Sequence, residues 1–390
     1  MGKEGMKIAF VRRDYTAKGG GAEKYLVTLS RELATLGEEV HIFAHAFDQP
    51  PHPAISFHPV SMIPIISPLK NLSFAFNVRT ELKKFSFDII CSLSRGFHHD
   101  IFRITDGLHL YHMKQRYTNR VNFLIKNVSP RHQTLLYLEK KSFLCPQLKR
   151  VIANSQLAKT QVTEYYGIPK EKVEVIYNGF DPAAFNPSVR EKYRPIMRKK
   201  LGIQPDDVVL LFVAMDYERK GLNFLLETLS LVKKNKVVLF VAGKGDSGKY
   251  QRITEKLRLT DRVKFIGYYP RVEEVYGMGD MLVLPTLYDP FSNCCLEALA
   301  CGIPVITTRQ NGASELIEDG KNGFIVENGF NARALAEKID LLLPRETRGK
   351  MGEQAFRSVK DLTVETHAGK ILRLFQDVLA EKKGSEEPLS

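Results

Sequence analysis

A chain of 390 residues, 44 % apolar and 26 % charged, has material for two cores and is too evenly mixed to be fibrous or disordered. Its formal net charge of +13 is one-sided, with 25 Lys+Arg against 15 Asp+Glu in residues 1–180 and 32 against 29 in 181–390, so an anionic partner is sought for the first half: membrane surface, acidic glycolipid or nucleic acid. Five cysteines (Cys91, Cys145, Cys294, Cys295, Cys301), odd in number and without C-x-x-C spacing, argue against a disulfide framework and a zinc site and fit a reducing compartment.

The opening residues, MGKEGMKIAFV, run into an apolar strand at 7–11 without a signal-peptide h-region, so a cytoplasmic location is expected. No apolar run reaches the ~20 residues of a membrane span. A second strand is expected at 40–44, with a helix over about 22–36 between them, where Leu26, Leu29, Leu33 and Leu36 recur at helical spacing and Gly37 stops the pattern. A crossover of that length makes the strands parallel and the unit right-handed. Gly19-Gly20-Gly21 lies between the first strand and this helix. Glycines there let backbone N–H groups approach an anion, and they equally suit a tight turn.

Strands follow at 87–91 and 101–105. The second leads into Asp106-Gly107, where Asp106 either lines a cleft or shapes the turn. Segment 109–141 carries Lys114, Arg116, Arg120, Lys126, Arg131, Lys140 and Lys141 with a single acid, Glu139. Aromatic and aliphatic residues interleave with these charges, the composition of an interfacial segment on an anionic membrane or of a helical excursion packed on its own domain. Strands at 150–153 and 173–177 complete the first half, and a proline-containing linker is expected over 181–195.

The pattern restarts with strands at 208–214, 237–242, 263–266, 281–284, 305–307 and 324–326. Arg219-Lys220-Gly221 follows the first of these, where ligands of parallel α/β sheets bind and where two cations can neutralise a diphosphate leaving group. An isolated Arg-Lys pair is more often a solvated turn. Gly243-Lys244-Gly245-Asp246-Ser247-Gly248 has the form G-x-G-x-x-G, but it lacks the acidic residue about 20 positions on, so a ligand-facing loop is expected in place of a dinucleotide fingerprint. After the strand at 281–284 comes Asp289-Pro290-Phe291-Ser292-Asn293-Cys294-Cys295-Leu296-Glu297, with a helix starting near Ser292. The amides of Phe291, Ser292 and Asn293 are expected as unpaired helix-start donors for phosphate or sugar oxygens, with Asp289 placed for sugar hydroxyls and Glu297 for ribose hydroxyls. The competing reading is an N-cap with a solvated Glu.

In this order the motifs resemble retaining glycosyltransferase family 4, over nearly the whole chain. The specific parts are the early Gly-Gly, Arg219-Lys220-Gly221, and Asp289–Glu297 with its continuation Ala298-Leu299-Ala300-Cys301-Gly302-Ile303-Pro304-Val305-Ile306, which looks like the family's E-x7-E segment. Within the family the chain looks most like the lipopolysaccharide core glucosyltransferase I group. The resemblance implies the GT-B fold: an α/β chain of two facing Rossmann-like domains with an interdomain cleft. Residues 1–180 would form the acceptor-side domain and 196–364 the nucleotide-sugar domain, with helix 365–383 returning to the first and a disordered tail at 384–390. It implies that Arg219 and Lys220 bind the diphosphate, Glu297 the ribose, and that Gly20 and Gly21 approach the donor from the other domain. Gly243 would line the donor site, and Tyr268 matches a position beside the uracil. Asp289 stands where the family usually has Glu, one methylene longer, which leaves the hexose open.

The implied activity is transfer of a hexose from a UDP-sugar, UDP-glucose or similar, to a membrane glycolipid such as a lipopolysaccharide-core heptose. It proceeds with retention and without a metal or other cofactor; the sequence has no D-x-D tripeptide. Catalysis would fall to Asp106, Arg219, Lys220 and Asp289. The enzyme would sit peripherally on the inner face of the cell membrane through Lys114, Arg116, Arg120, Lys126 and Arg131. The alternatives are a nucleotide-sugar epimerase or a phosphorylase of the same fold. A nucleic-acid partner is not expected, because none of the usual reading modules is present.

Overall fold

The computed structural model describes residues 5–16, 21–48, 52–116, 128–232, 236–327 and 331–384. The chain divides into two compact units: Met1–Asn178 with Val364–Ser390, and Gly179–Thr363.

In the first unit the strands are β1 (Lys7–Val11), β2 (Asp14–Tyr15), β3 (Glu39–Ala44), β4 (Ala46–Phe47), β5 (Ile55–Pro59), β6 (Ile89–Ser92), β7 (Ile101–Arg103), β8 (Arg150–Ala153) and β9 (Val173–Val175). The helices between them are α1 (Gly21–Thr35), α2 (Ser67–Leu82), α3 (His109–Arg116), α4 (Pro130–Phe143) and α5 (Gln156–Tyr166). Seven strands form one parallel sheet in the order β5-β3-β1-β6-β7-β8-β9; β2 and β4 make a separate short ladder. The strand order reverses between β1 and β6, so the loops leaving these two strands diverge and leave a crevice at their carboxyl ends. On one face of the sheet, Leu26, Leu29 and Leu33 of α1 pack with Ile8, Phe10 and Ile42. The terminal helix, Val364–Gly384, adds Ala368, Ile371, Phe375 and Val378 to the same cluster. On the other face, Phe74, Val78 and Leu82 of α2 cover Ala9, Val11 and Phe43.

The second unit has β10 (Val208–Ala214), β11 (Val237–Gly243), β12 (Val263–Gly267), β13 (Met281–Leu284), β14 (Val305–Thr308) and β15 (Gly323–Val326). Its helices are α6 (Ser188–Lys200), α7 (Leu222–Leu231), α8 (Ser247–Lys256), α9 (Val272–Met278), α10 (Asn293–Ala300), α11 (Ala332–Leu341) and α12 (Arg345–Val359). The sheet is parallel, in the order β12-β11-β10-β13-β14-β15. This is the doubly wound arrangement, and its switch point lies between β10 and β13. Strands covered on both faces must be apolar throughout, which is why β10 reads VVLLFVA without alternation.

Two of the elements that differ from the sequence expectation have a plain physical reason. The proline-containing stretch 181–195 is not a plain linker, since α6 starts at Ser188 and carries Pro195 inside it. Val189, Tyr193 and Met197, four residues apart, are on its buried face. Strand β5, ISFHP, was not expected; it is an edge strand ending in Pro59, and edges tolerate proline and polar residues. The expected disordered tail lies outside the described residues, apart from Gly384, which ends the terminal helix. Among the described residues no helix is long and apolar enough to cross a membrane.

Candidate functional site

The switch point of the second unit gathers the basic pair and the acidic loop. Arg219 and Lys220 lie in the turn leaving β10, and Asp289 in the loop leaving β13. Gly221 lets these loops meet. Its φ is +82°, and a Cβ there would sit 2.0 Å from the Pro285 carbonyl oxygen, so no other residue fits. The Arg219 carbonyl oxygen then accepts from the Leu287 amide at 2.9 Å and from Thr286 Oγ1 at 3.1 Å. Arg219 Nη1 donates to the Tyr288 carbonyl at 3.2 Å and to Asp289 Oδ2 at 3.3 Å.

Lys220 is buried. Its ammonium donates to Asp289 Oδ2, and to Ser292 Oγ at 2.6 Å. Burial draws this ammonium down to about 8 from its ordinary value of 10.5. Both cations of the motif thus converge on one carboxylate oxygen, and Arg219 keeps about a third of its side chain open to solvent.

Two of the three helix-start amides that the sequence left as open donors are taken. The amide of Phe291 donates to Asp289 Oδ1 at 3.0 Å, and that of Ser292 donates to Asn311 Oδ1 at 3.2 Å. Asn293 opens α10. Their capture follows from the burial of Phe291 and Ser292, because amides that water cannot reach must find an internal acceptor. Asn311 supplies the second one. This fully buried residue also accepts from the Ala313 amide at 3.1 Å and donates to Thr307 Oγ1 at 2.9 Å and Cys295 Sγ at 3.4 Å. A parallel bridge between Asp289 and Asn311 extends the β13–β14 pairing beyond the strands. Cys295 belongs to this packing, and burial pushes its thiol well up.

Glu297 lies on α10, five residues beyond its N-cap Ser292. Tyr276, buried on α9, donates its hydroxyl to Glu297 Oε2 at 2.7 Å. Burial first, then the Glu297 charge, holds that phenol protonated far above its usual range. Sequence reasoning passed over Tyr276. The available signal was a tyrosine in an otherwise apolar stretch of helix, because a buried hydroxyl needs a partner.

Gly243 ends β11 with φ +116°, and a Cβ there would lie 1.7 Å from the Ala214 carbonyl oxygen. The loop of the G-x-G-x-x-G motif is therefore drawn against the end of β10. Lys244 Nζ stands 4.9 Å over the ring of Tyr268, itself 38 % exposed.

In the first unit a cavity of about 110 Å³ opens at the β1/β6 switch point, lined among others by Arg12, Ser94, Arg95, Thr105, Asp106 and Glu139. Arg12 is buried. It donates to Asp106 Oδ2 at 2.9 Å, Glu23 Oε1 at 2.7 Å and Thr105 Oγ1 at 3.1 Å. Burial opposes its charge, but Asp106 and Glu23 outweigh that and hold its pKa above the ordinary value. Arg95 pairs at 2.8 Å with buried Glu139. Paired charges and hydroxyls at this density suit a hydroxyl-rich ligand. Asp106 is thus a partner of Arg12 as well as a turn residue. Arg103, three positions earlier, is buried 4.2 Å over the Tyr25 ring and donates to Asn178 Oδ1 at 2.6 Å.

Gly21 opens α1 and is exposed, whereas Gly20 lies outside the described residues. Of the basic segment, Lys114, Arg116 and Arg131 are exposed, and Arg120 and Lys126 lie outside the described residues. Part of the segment packs on its own unit. Met113 and Leu138 are buried, and Glu139 accepts from the His109 amide at 2.6 Å.

Two family descriptions match: Glycosyltransferase Family 4 over residues 19–184 and Glycosyl transferases group 1 over 194–358. An uncharacterized glycosyltransferase of Methanocaldococcus jannaschii is 26 % identical over 342 residues, covering 82 % of this chain and 85 % of that one. The lipopolysaccharide glucosyltransferase WaaG of Escherichia coli K12 is 22 % identical over 325 residues, again 82 % and 85 % of the two chains. Among solved structures, WaaG gives a TM-score of 0.82 at 20 % identity, with 94 % of this chain and 99 % of that chain covered. HepE of Anabaena, in complex with UDP and glucose, gives 0.72 at 22 % identity, with 95 % and 99 % covered. The two parallel doubly wound sheets are those of the GT-B fold. Matched in both halves and over most of its length, the chain belongs to the family 4 glycosyltransferases of GT-B fold.

Proposed function

We propose that this glycosyltransferase moves a hexose, with retention of configuration, from UDP-glucose or a similar UDP-hexose to a membrane glycolipid of the lipopolysaccharide-core type, at the inner face of the cell membrane. The observation that carries the reading is the convergence of Arg219 and Lys220 on Asp289 and Ser292 at the β10/β13 switch point. The relatives support it: one is named a lipopolysaccharide glucosyltransferase, and a structural neighbour holds UDP and glucose.

In this reading Arg219 and Lys220 take up the negative charge that grows on the departing diphosphate, which is the largest electrostatic change between ground and transition states. Asp289 orients sugar hydroxyls, and Glu297 holds the ribose with its carboxylate aimed by Tyr276. The acceptor hydroxyl attacks from the face the diphosphate leaves, and its proton passes to the phosphate oxygen. Asp106 and Arg12 position the acceptor. No metal is needed, so turnover persists in excess EDTA.

The direct test is a thermal-shift panel of UDP-, GDP- and ADP-hexoses. A specific donor at a hundredfold over its Kd adds about 2.7 kcal/mol of stability. UDP-hexoses are expected to stand out, and no response to any of the three ends the proposal. An inverted anomer in the product, or activity lost in EDTA and restored by Mn²⁺, overturns the mechanism.

The pH profile gives a second check. A lysine at about 8 in the empty site is charged below that pH and loses its proton as pH rises through it. The kcat/KM of the free enzyme is therefore expected to fall above pH 8. Lys220→Arg keeps a cation at all accessible pH values and removes this limb. Tyr276→Phe is expected to raise the donor KM about tenfold, the worth of one hydrogen bond to a charged group, with kcat little changed. An unaltered KM would separate Tyr276 from donor binding.

A further inference from the structure

Helix α2 buries one apolar face and exposes two large apolar side chains on the other. Phe74, Ala75, Val78 and Leu82 are buried against the sheet. On the outer side, Leu69 is 42 % and Phe76 51 % exposed, and the loop before the helix presents Ile63, Ile65 and Ile66 at 45, 76 and 53 %. Five of the sixteen exposed large apolar side chains among the described residues fall in these fourteen positions. A surface helix of a water-facing domain carries polar residues there, so this cluster marks a contact surface.

The patch is built, not loose. The Ile63 amide donates to Ser73 Oγ at 2.9 Å, Asn77 Nδ2 donates to the Ser61 carbonyl at 2.9 Å, and the Lys70 amide donates to the Ile66 carbonyl at 2.9 Å. The loop is thus fastened to the helix with its isoleucines outward. The sequence has no acidic residue between Asp48 and Glu81, while Lys70, Arg79, Lys83 and Lys84 lie along α2 and just beyond it. The inner side of the same helix supplies Asn71 and Phe74 to the cavity that contains Arg12 and Asp106.

We infer that the loop 61–66 and the outer face of α2 insert into an anionic lipid bilayer and hold that cavity at its surface. An apolar strip flanked by cations, with no anion in the intervening sequence, is complementary to acyl chains beneath acidic headgroups. This inference rests on the glycolipid-acceptor reading and adds to it a contact element beside segment 109–141, since the Phe76 ring lies 4.8 Å from Phe97 and Phe97 lies 6.3 Å from Tyr137.

The chain has no Trp, so Ile65→Trp creates a single reporter. Its fluorescence is expected to shift to the blue on vesicles of phosphatidylcholine with phosphatidylglycerol, and to be quenched by lipids brominated in the acyl chain. Ile65→Glu with Ile66→Glu is expected to lower vesicle partition about tenfold or more in sedimentation, since charges cannot enter the acyl region cheaply. Stabilisation by UDP, measured on the same samples, reports on the transferase reading and not on the patch, so either can fail alone. Three results overturn the inference: an Ile65→Trp reporter left unquenched on vesicles that the protein binds, a double variant that sediments like the wild type, or a patch that pairs two copies of the chain in solution without lipid.

Discussion

Lys220→Ala is expected to lower kcat by about 10²–10³-fold, the loss measured when one preorganised donor to a developing oxyanion is removed, with little change in the acceptor KM. The ammonium is buried and touches Asp289 and Ser292, so its position is fixed before any donor arrives. A cation already desolvated and oriented needs no reorganisation as charge builds on the diphosphate. Arg219 retains its bond to the Tyr288 carbonyl in the variant, so part of the electrostatic site survives and the loss is bounded. The measurement is steady-state kinetics with a UDP-hexose and a glycolipid acceptor, alongside a thermal melt showing that the variant folds. Near-normal kcat in a folded Lys220→Ala protein would remove this lysine from the mechanism.

Asp280→Ala is expected to cost about 3–5 kcal/mol of stability, the usual effect of removing one partner from a buried ion cluster. Asp280, 2 % exposed, precedes β13. Its carboxylate receives Arg194 at 2.8 Å and Arg198 at 2.7 Å, with Arg348 at 3.6 Å and Arg190 at 3.8 Å, and accepts from the Val209 amide at 2.8 Å. Without it, guanidinium groups held close together lose their only shared counter-charge among the described residues. Burial already lowers the pKa of Arg190, Arg198 and Arg348, a sign that their charge is carried at a cost. Denaturant unfolding of the variant, followed through the transition of the second unit, checks the figure. A loss under about 1 kcal/mol would show that the arginines reach water instead. Asp280 sits at the amino end of β13, and the Asp289 loop follows the carboxyl end. Affinity for UDP in the folded protein should therefore be retained, which separates this effect from that of Lys220.

The strands were readable because a parallel sheet covered on both faces demands unbroken apolar runs such as those of β10, β11 and β13. Fold class followed from their alternation with helices. Helix α6 was hidden by Pro195 and by an apolar face of three residues set among six basic ones. The Arg219-Lys220 pair and the Asp289 loop were visible as separate motifs, but the sequence did not show that they bind each other. That depends on the β10/β13 adjacency and on Gly221, whose missing Cβ lets the loops touch. The depressed pKa of Lys220 follows from burial in this contact and has no local signature. The closed amides of Phe291 and Ser292 were unreadable for a related reason: one acceptor, Asn311, comes from a loop about twenty positions away.

The terminal helix also bears on biosynthesis. Phe375 lies 6.0 Å from the Phe10 ring and is buried, together with Ala368, Ile371 and Val378, in the core shared with α1. A nascent chain that has emerged only to Asn178 lacks this cover, whereas Gly179–Thr363 is one uninterrupted stretch. The part translated first is therefore the last to close. At ribosomal speeds it waits on the order of 10–40 s with part of one sheet face covered by α1 alone, a window in which a holding chaperone has a substrate.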